Sequence, residues 1–331
     1  MIEESVKIWK AEEYTYPLGC GFIPTLISYT HEDEIARPCV LVVPGGGYCV
    51  VSPTEGFVVA KSFYEEGFNV FVLTYTTNLL MMEPLKLQPL QDLSRAVRLI
   101  RKEADKYRIN PNQLAVCGFS AGGHLSGSLC VHFEDIKDSD SEYDAISNRP
   151  NASILSYPVI TSGEYAHKGS FEALYGKEAE EEDLAYMSLE KQVKESTPPC
   201  FLWQTETDET VPVENSYLFA KACRNAGVPY ALHIFSEGQH GLSIANESWL
   251  EEDFGYPYTL EQTFQLIEKI KTGELGIPNE IGDQISEQLG LSGTRKGMRD
   301  AGEKERLCSI LQEVGSWFDM AYRWLRKEFN I

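Results

Sequence analysis

A chain of 331 residues with 43% hydrophobic content carries enough apolar material for a substantial core. Its 29 basic against 50 acidic residues give a net charge of −21, which disfavours nucleic acid, acidic membrane surfaces and polyanionic substrates as partners. No apolar stretch approaches the ~20 residues of a membrane span. The first ten residues lack a signal-peptide core, and the eight cysteines show no Cys-x-x-Cys spacing. Reduced thiols, no metal site and a cytoplasmic location are therefore expected.

Residues 1–37 read as a leading segment whose clearest strand candidate is 21–29. The run 38–44 (Pro-Cys-Val-Leu-Val-Val-Pro) is apolar throughout, as in a strand covered on both faces of a parallel sheet. It ends in Gly45-Gly46-Gly47-Tyr48. A helix is expected over 57–66, closed by Gly67, and a second buried strand over 69–75. From 89 to about 107 the spacing of Leu90, Leu93, Val97, Ile100 and Ala104 predicts an amphipathic helix. A turn at 110–112 leads to the short strand 114–117.

That strand runs into Gly118-Phe119-Ser120-Ala121-Gly122, followed by a small-residue helical segment. Strand, sharp turn and helix together lift a serine hydroxyl above the end of a parallel sheet. Further strands are expected at 151–157, 200–205 and 230–235, with a helix over 213–226 closed by Gly227. Two segments, 160–197 and 246–308, read as insertions placed to roof the site. The final helix puts Leu311, Val314, Phe318, Ala321 and Leu325 on one face. Alternating strands and helices predict an α/β fold with a doubly wound, mostly parallel sheet, and residues 1–331 are read as one domain.

A serine hydroxyl needs a base, and the base needs an acid to orient it. In this architecture the order is Ser, then Asp or Glu, then His. Downstream of the Ser120 helix lie His167, His233 and His240. His240 follows a strand, where such sheets place their sites. His233 sits inside an apolar strand and reads as a core residue. His167 precedes every plausible acid, and His124 is read as packing behind the nucleophile. The acid should leave the strand 200–205, where Glu206, Asp208 and Glu209 qualify. Asp208 is chosen, because Asp208-Glu-Thr-Val-Pro212 places it in the loop before a helix. The amides of Ala121, Gly46 and Gly47 are the expected oxyanion donors. Tyr48 is a candidate substrate contact, equally readable as an ordinary core residue.

Several segments together resemble the α/β-hydrolase superfamily, in its esterase branch with a Gly-rich oxyanion loop, and the acetyl-esterase and acetylxylan-esterase-like enzymes within it. They are Pro44-Gly-Gly-Gly-Tyr48, Ser52-Pro-Thr-Glu-Gly56, Gly118-Phe-Ser-Ala-Gly-Gly-His-Leu125, Asp208-Glu-Thr-Val-Pro212 and Gln239-His-Gly241. The resemblance implies a serine esterase with Ser120 as nucleophile, His240 as base and Asp208 as orienting acid. It needs no metal or organic cofactor, and its partner is a small-molecule or oligosaccharide ester. Proline stands at position 44 where the family's oxyanion motif carries histidine, so that loop requires another support. Competing readings are a peptidase, a thioester or lactone hydrolase of the same fold, and a binding protein that has lost catalysis.

Overall fold

A computed structural model describes residues 1–290 and 299–331. Eight strands form one sheet: β1 (Ile2–Lys7), β2 (Thr25–Thr30), β3 (Arg37–Val43), β4 (Asn69–Thr74), β5 (Ile109–Phe119), β6 (Ala152–Ser156), β7 (Cys200–Thr205) and β8 (Tyr230–Phe235). Their order is β1-β2-β4-β3-β5-β6-β7-β8. β2 runs antiparallel to β1 and β4, and the pairs from β4 through β8 are parallel. This is the α/β-hydrolase fold.

The period of two explains why the central runs contain no polar alternation. On β3, Cys39, Leu41 and Val43 face one helical layer, and Val40 and Val42 face the other. The first layer holds helices α2 (Gln88–Lys102) and α3 (Ala121–His132), with Leu90, Val97, Leu125 and Leu129 packed on it. On the opposite face lie α1 (Phe57–Glu65) and the C-terminal helices, with Phe63, Leu311, Trp317 and Leu325. Among the described residues the other helices of eight or more residues are α4 (Lys168–Tyr175), α5 (Glu214–Ala226), α6 (Glu261–Lys271) and α7 (Asn279–Gln288), and the C-terminal pair is α8 (Ala301–Val314) and α9 (Ser316–Glu328).

Two local expectations are corrected, and one strand is added. β1 is not legible in the sequence, because it is an exposed edge strand rich in charge (Glu3, Glu4, Lys7) and offers no apolar run. The turn expected at 110–112 is instead an irregularity within β5, where pairing with β3 shifts register between Arg37 and Cys39. The single final helix is two helices, α8 and α9, meeting at Gly315. A methyl group there would lie 2.7 Å from the Leu311 carbonyl oxygen and 2.8 Å from that of Ala245, so the junction sits hard against the loop behind β8.

The predicted insertion 160–197 is the segment between β6 and β7 that carries α4. The predicted insertion 246–308 contains α6 and α7 and the start of α8, but its residues 291–298 lie outside the described residues. α6 docks on the loop after β4, where the Gln262 side chain accepts from the Thr77 amide (2.8 Å) and donates to the Thr77 carbonyl (2.8 Å). Among the described residues no helix is long and apolar enough to cross a membrane.

Candidate active site

Ser120 stands between β5 and α3 with φ 52 and ψ −119, in the left-handed region that strains a non-glycine residue. Its neighbours explain the Gly-x-Ser-x-Gly pattern. A methyl on Gly118 would meet the Gly122 carbonyl oxygen at 2.2 Å, and one on Gly122 would meet the Val43 oxygen at 2.1 Å. Both glycines are needed because β3, the turn and α3 touch through their backbones. Ala121 opens α3, so its amide is free of an intrahelical acceptor and carries the positive end of the helix.

The loop after β3 lies against this turn. A methyl on Gly45 would sit 2.6 Å from the Phe119 carbonyl oxygen and 2.9 Å from Ser120 Cβ. Gly46 and Gly47 have φ of 115 and 64. Among the described residues their amides donate to no protein acceptor, while the Gly45 amide donates to Glu55 Oε2 at 2.7 Å. Pro44 leaves its carbonyl to Tyr75, whose hydroxyl donates to it at 2.8 Å. Tyr75 and Glu55 thus brace the loop that lacks the histidine.

His240 lies in the loop after β8. Its Nδ1 is 2.7 Å from Asp208 Oδ2, and its Nε2 is 2.8 Å from Ser120 Oγ. A carboxylate only accepts, so Nδ1 carries the proton and Nε2 is left to accept from the serine hydroxyl. Asp208 follows β7, its side chain fully buried. Its second oxygen accepts from the amides of Thr210 (2.9 Å) and Val211 (3.0 Å). The rival acids are elsewhere: Glu206 is exposed and accepts from the Tyr217 hydroxyl, and Glu209 is exposed.

The remaining histidines divide. His233 stacks on Phe201 with ring centroids 4.8 Å apart. His124 is fully buried; it donates from Nε2 to the Met187 carbonyl (2.9 Å) and accepts at Nδ1 from the Tyr48 hydroxyl (2.7 Å). Burial pushes its imidazole down to about 4. That pairing corrects the reading of Tyr48 as a substrate contact. Its ring is wholly inside the core, its hydroxyl is spent on His124, and no face is left for a sugar or an acyl group.

His167, set aside on chain order, comes close to the site. Its Cε1 would lie 3.9 Å from a methyl on Gly47, and burial followed by the nearby His240 holds its imidazole below the ordinary histidine range. Its Nδ1 pairs with Ser170 Oγ at 2.9 Å. Tyr157, Ser243 and Trp317, also around the site, carried no sequence signal of a role. The Tyr157 hydroxyl donates to Glu55 Oε1 (2.7 Å) and accepts from the Ser243 amide (3.0 Å). The Ser243 carbonyl accepts from Trp317 Nε1 at 3.0 Å. Only the Ser52-Pro-Thr-Glu-Gly56 motif hinted that Glu55 mattered. Among the described residues no group of three or more His, Cys, Asp or Glu is placed to hold a metal ion.

The arrangement can move a proton from Ser120 Oγ to His240 Nε2, with free amides beside it for a developing oxyanion. Beyond His240 opens a cleft of about 340 Å³ whose walls include Glu209, Glu237, Gln239 and Arg306.

The BD-FAE family model matches residues 27–223. The chain is 53% identical over 258 residues, 78% of its length, to endo-1,4-beta-xylanase B of Butyrivibrio fibrisolvens. It is 31% identical over 250 residues, 74% of its length, to the acetylxylan esterase of Xylanibacter ruminicola. It spans 41% and 49% of those two proteins, less than half of each. Among solved structures it resembles an acetyl ester-xyloside bifunctional hydrolase from Caldicellulosiruptor lactoaceticus, at 36% identity and a TM-score of 0.69, covering 80% of this chain and 96% of that one.

Proposed function

The chain belongs to the BD-FAE family and has the α/β-hydrolase fold; from that premise we propose that it is a carboxylic-ester hydrolase that removes short acyl groups, acetyl foremost, from carbohydrate such as xylan-derived oligosaccharides, through Ser120, His240 and Asp208. The observation that carries the reading is the unbroken chain from Ser120 Oγ to His240 Nε2 (2.8 Å) and from His240 Nδ1 to Asp208 Oδ2 (2.7 Å).

In the first half-reaction Ser120 Oγ attacks the ester carbonyl while His240 Nε2 takes its proton. The tetrahedral oxyanion rests on the amides of Gly46, Gly47 and Ala121, each such donor contributing roughly 3 kcal/mol to the transition state. Asp208 holds the imidazolium that forms. The C–O bond to the alcohol breaks, and His240 returns the proton to the departing oxygen. In the second half His240 takes a proton from water, the hydroxide attacks the acyl-serine, and the acid leaves with Ser120 restored.

The sugar part of the reading is supported by the similarity to the xylanase, the acetylxylan esterase and the acetyl ester-xyloside hydrolase. The cleft beside His240 carries the polar side chains of Thr207, Glu209, Glu237, Gln239 and Arg306, which suit a hydroxylated alcohol.

The test is acetate release from acetylated xylo-oligosaccharides beside p-nitrophenyl acetate and butyrate, with Ser120→Ala as control. Acetate freed from the sugar and lost in the variant is the expected result. Turnover of the nitrophenyl esters alone removes the sugar, and turnover that survives Ser120→Ala removes the mechanism.

A further inference from the structure

We propose that Glu55 is a positioning residue for the ester hydrolysis assigned above: its buried carboxylate ties the oxyanion loop and the histidine loop to one point beneath the nucleophile, and its charge favours the imidazolium of His240. The proposal rests on that reading of the site.

Glu55 ends a short 3-10 turn, Pro53–Glu55, and is 3% exposed. A carboxylate taken out of water is costly unless its oxygens are paired. Among the described residues no lysine or arginine forms an ion pair with it. Its partners are instead parts of the site. Oε2 accepts from the Gly45 amide at 2.7 Å, and Oε1 accepts from the Tyr157 hydroxyl at 2.7 Å. Tyr157 passes the connection on by accepting from the Ser243 amide, three residues past His240. Its ring also packs edge-on to the His240 imidazole, with centroids 4.9 Å apart. One carboxyl group therefore reaches the residue before the two oxyanion glycines, the tyrosine beneath the base and the loop that holds the base.

The chemistry of these contacts requires an acid. Both oxygens accept and neither donates. A glutamine could accept from Gly45, but its amide would then donate to Tyr157. The Tyr157 hydroxyl already accepts from Ser243, and its own proton would lose its acceptor. The position also explains the charge. A methyl on Gly45 would lie 3.1 Å from Glu55 Oε2 and 2.9 Å from Ser120 Cβ, so the carboxylate sits directly behind the nucleophile turn. Burial raises the Glu55 carboxyl, while Tyr157, Gly45 and the nearby His240 act to lower it. The groups close to His240 are Asp208, Ser120, Tyr157, Glu55 and His167, and the cleft beside it adds Glu209, Glu237 and Arg306; of the acids, Asp208 and Glu55 are the buried ones.

The test compares Glu55→Gln and Tyr157→Phe with wild type on p-nitrophenyl acetate, recording kcat, KM, the pH profile of kcat/KM and the melting temperature. Turnover abolished by Ser120→Ala establishes the underlying reading first; without it both readings fall together. For Glu55→Gln the expected kcat loss is about 10- to 100-fold, short of the 10²–10³ that removal of an oxyanion donor costs. KM should stay within about twofold. The acid limb should move to lower pH, because removing a negative charge near His240 makes its imidazolium easier to deprotonate. Tyr157→Phe keeps the charge, so it should lower kcat and leave the acid limb in place. A folded Glu55→Gln with kcat within about twofold and an unmoved limb overturns the proposal while the esterase reading stands. Should Glu55→Gln not fold, unchanged kcat in Tyr157→Phe overturns it in the same way.

Discussion

Asp208 divides its two oxygens between tasks: one holds the His240 Nδ1 proton, and the other takes the amides of Thr210 and Val211. Asparagine at 208 would keep its carbonyl oxygen on those amides and turn its NH₂ toward His240, forcing the proton onto Nε2. Asp208→Asn should therefore fold normally and lose about 10³- to 10⁴-fold in kcat, measured beside a circular dichroism melt; a loss under tenfold would remove Asp208 from the role given to it. His167 leans toward Gly47 with Nδ1 engaged by Ser170. His167→Ala should lower kcat/KM by about 2- to 10-fold, the worth of one neutral hydrogen bond from its Nε2 to the substrate. Kinetics indistinguishable from wild type would place this side chain outside the reacting groups. Ser120, Asp208 and His240 were legible because their motifs are local and their chain order is constrained. His167 was not, since the segment that brings it to the site is distant in sequence, and the motif that flagged Glu55 said nothing of its long-range contact with Tyr157.

The turn from β5 into α3 works only with bare backbone at its two ends. Gly122→Ala would drive a methyl to 2.1 Å from the Val43 oxygen, a backbone atom that cannot rotate away. Loss of soluble, folded protein is the expected result, and a folded variant with wild-type turnover would mean that β3 and α3 are less closely docked than described. α9 supports the site from behind. Trp317 stacks on Trp203 with centroids 4.9 Å apart and donates to the Ser243 carbonyl at 3.0 Å. Trp317→Phe keeps most of the packing and loses the donor, leaving a buried carbonyl unpaired, at a cost of about 1–3 kcal/mol. A melting temperature several degrees lower, with kcat reduced because Ser243 steers the His240 loop, is expected; an unchanged melt would assign the contact no weight. The break between α8 and α9 escaped the sequence because Leu311, Val314, Phe318, Ala321 and Leu325 keep helical spacing across it, and a single glycine inside such a pattern is compatible with a continuous helix.

At the scale of the whole molecule, buried titratable groups make stability depend on pH. Burial holds His124 at about 4 in the folded protein, against an ordinary value of 6.5. Between those values the unfolded chain binds the extra proton, so stability falls as pH drops through that window, by at most about 3 kcal/mol from this residue. Asp92 and Glu55, raised by burial, act with the opposite sign. The loss of stability from pH 7 to pH 4.5 in denaturant melts should therefore be smaller in His124→Asn than in wild type; an equal loss would mean that His124 titrates normally. The sequence by itself determined the alternation of strands and helices, the doubly wound sheet, the nucleophile turn and the order of the three triad candidates. These follow from periodicity, glycine sterics and chain direction, which are properties of short segments. The tertiary structure alone decided that Tyr48 is core, that Glu55 reaches the site through Gly45 and Tyr157, and that the segment between β6 and β7 brings in His167. Each of these depends on which distant side chains share one buried volume, and no local pattern encodes that.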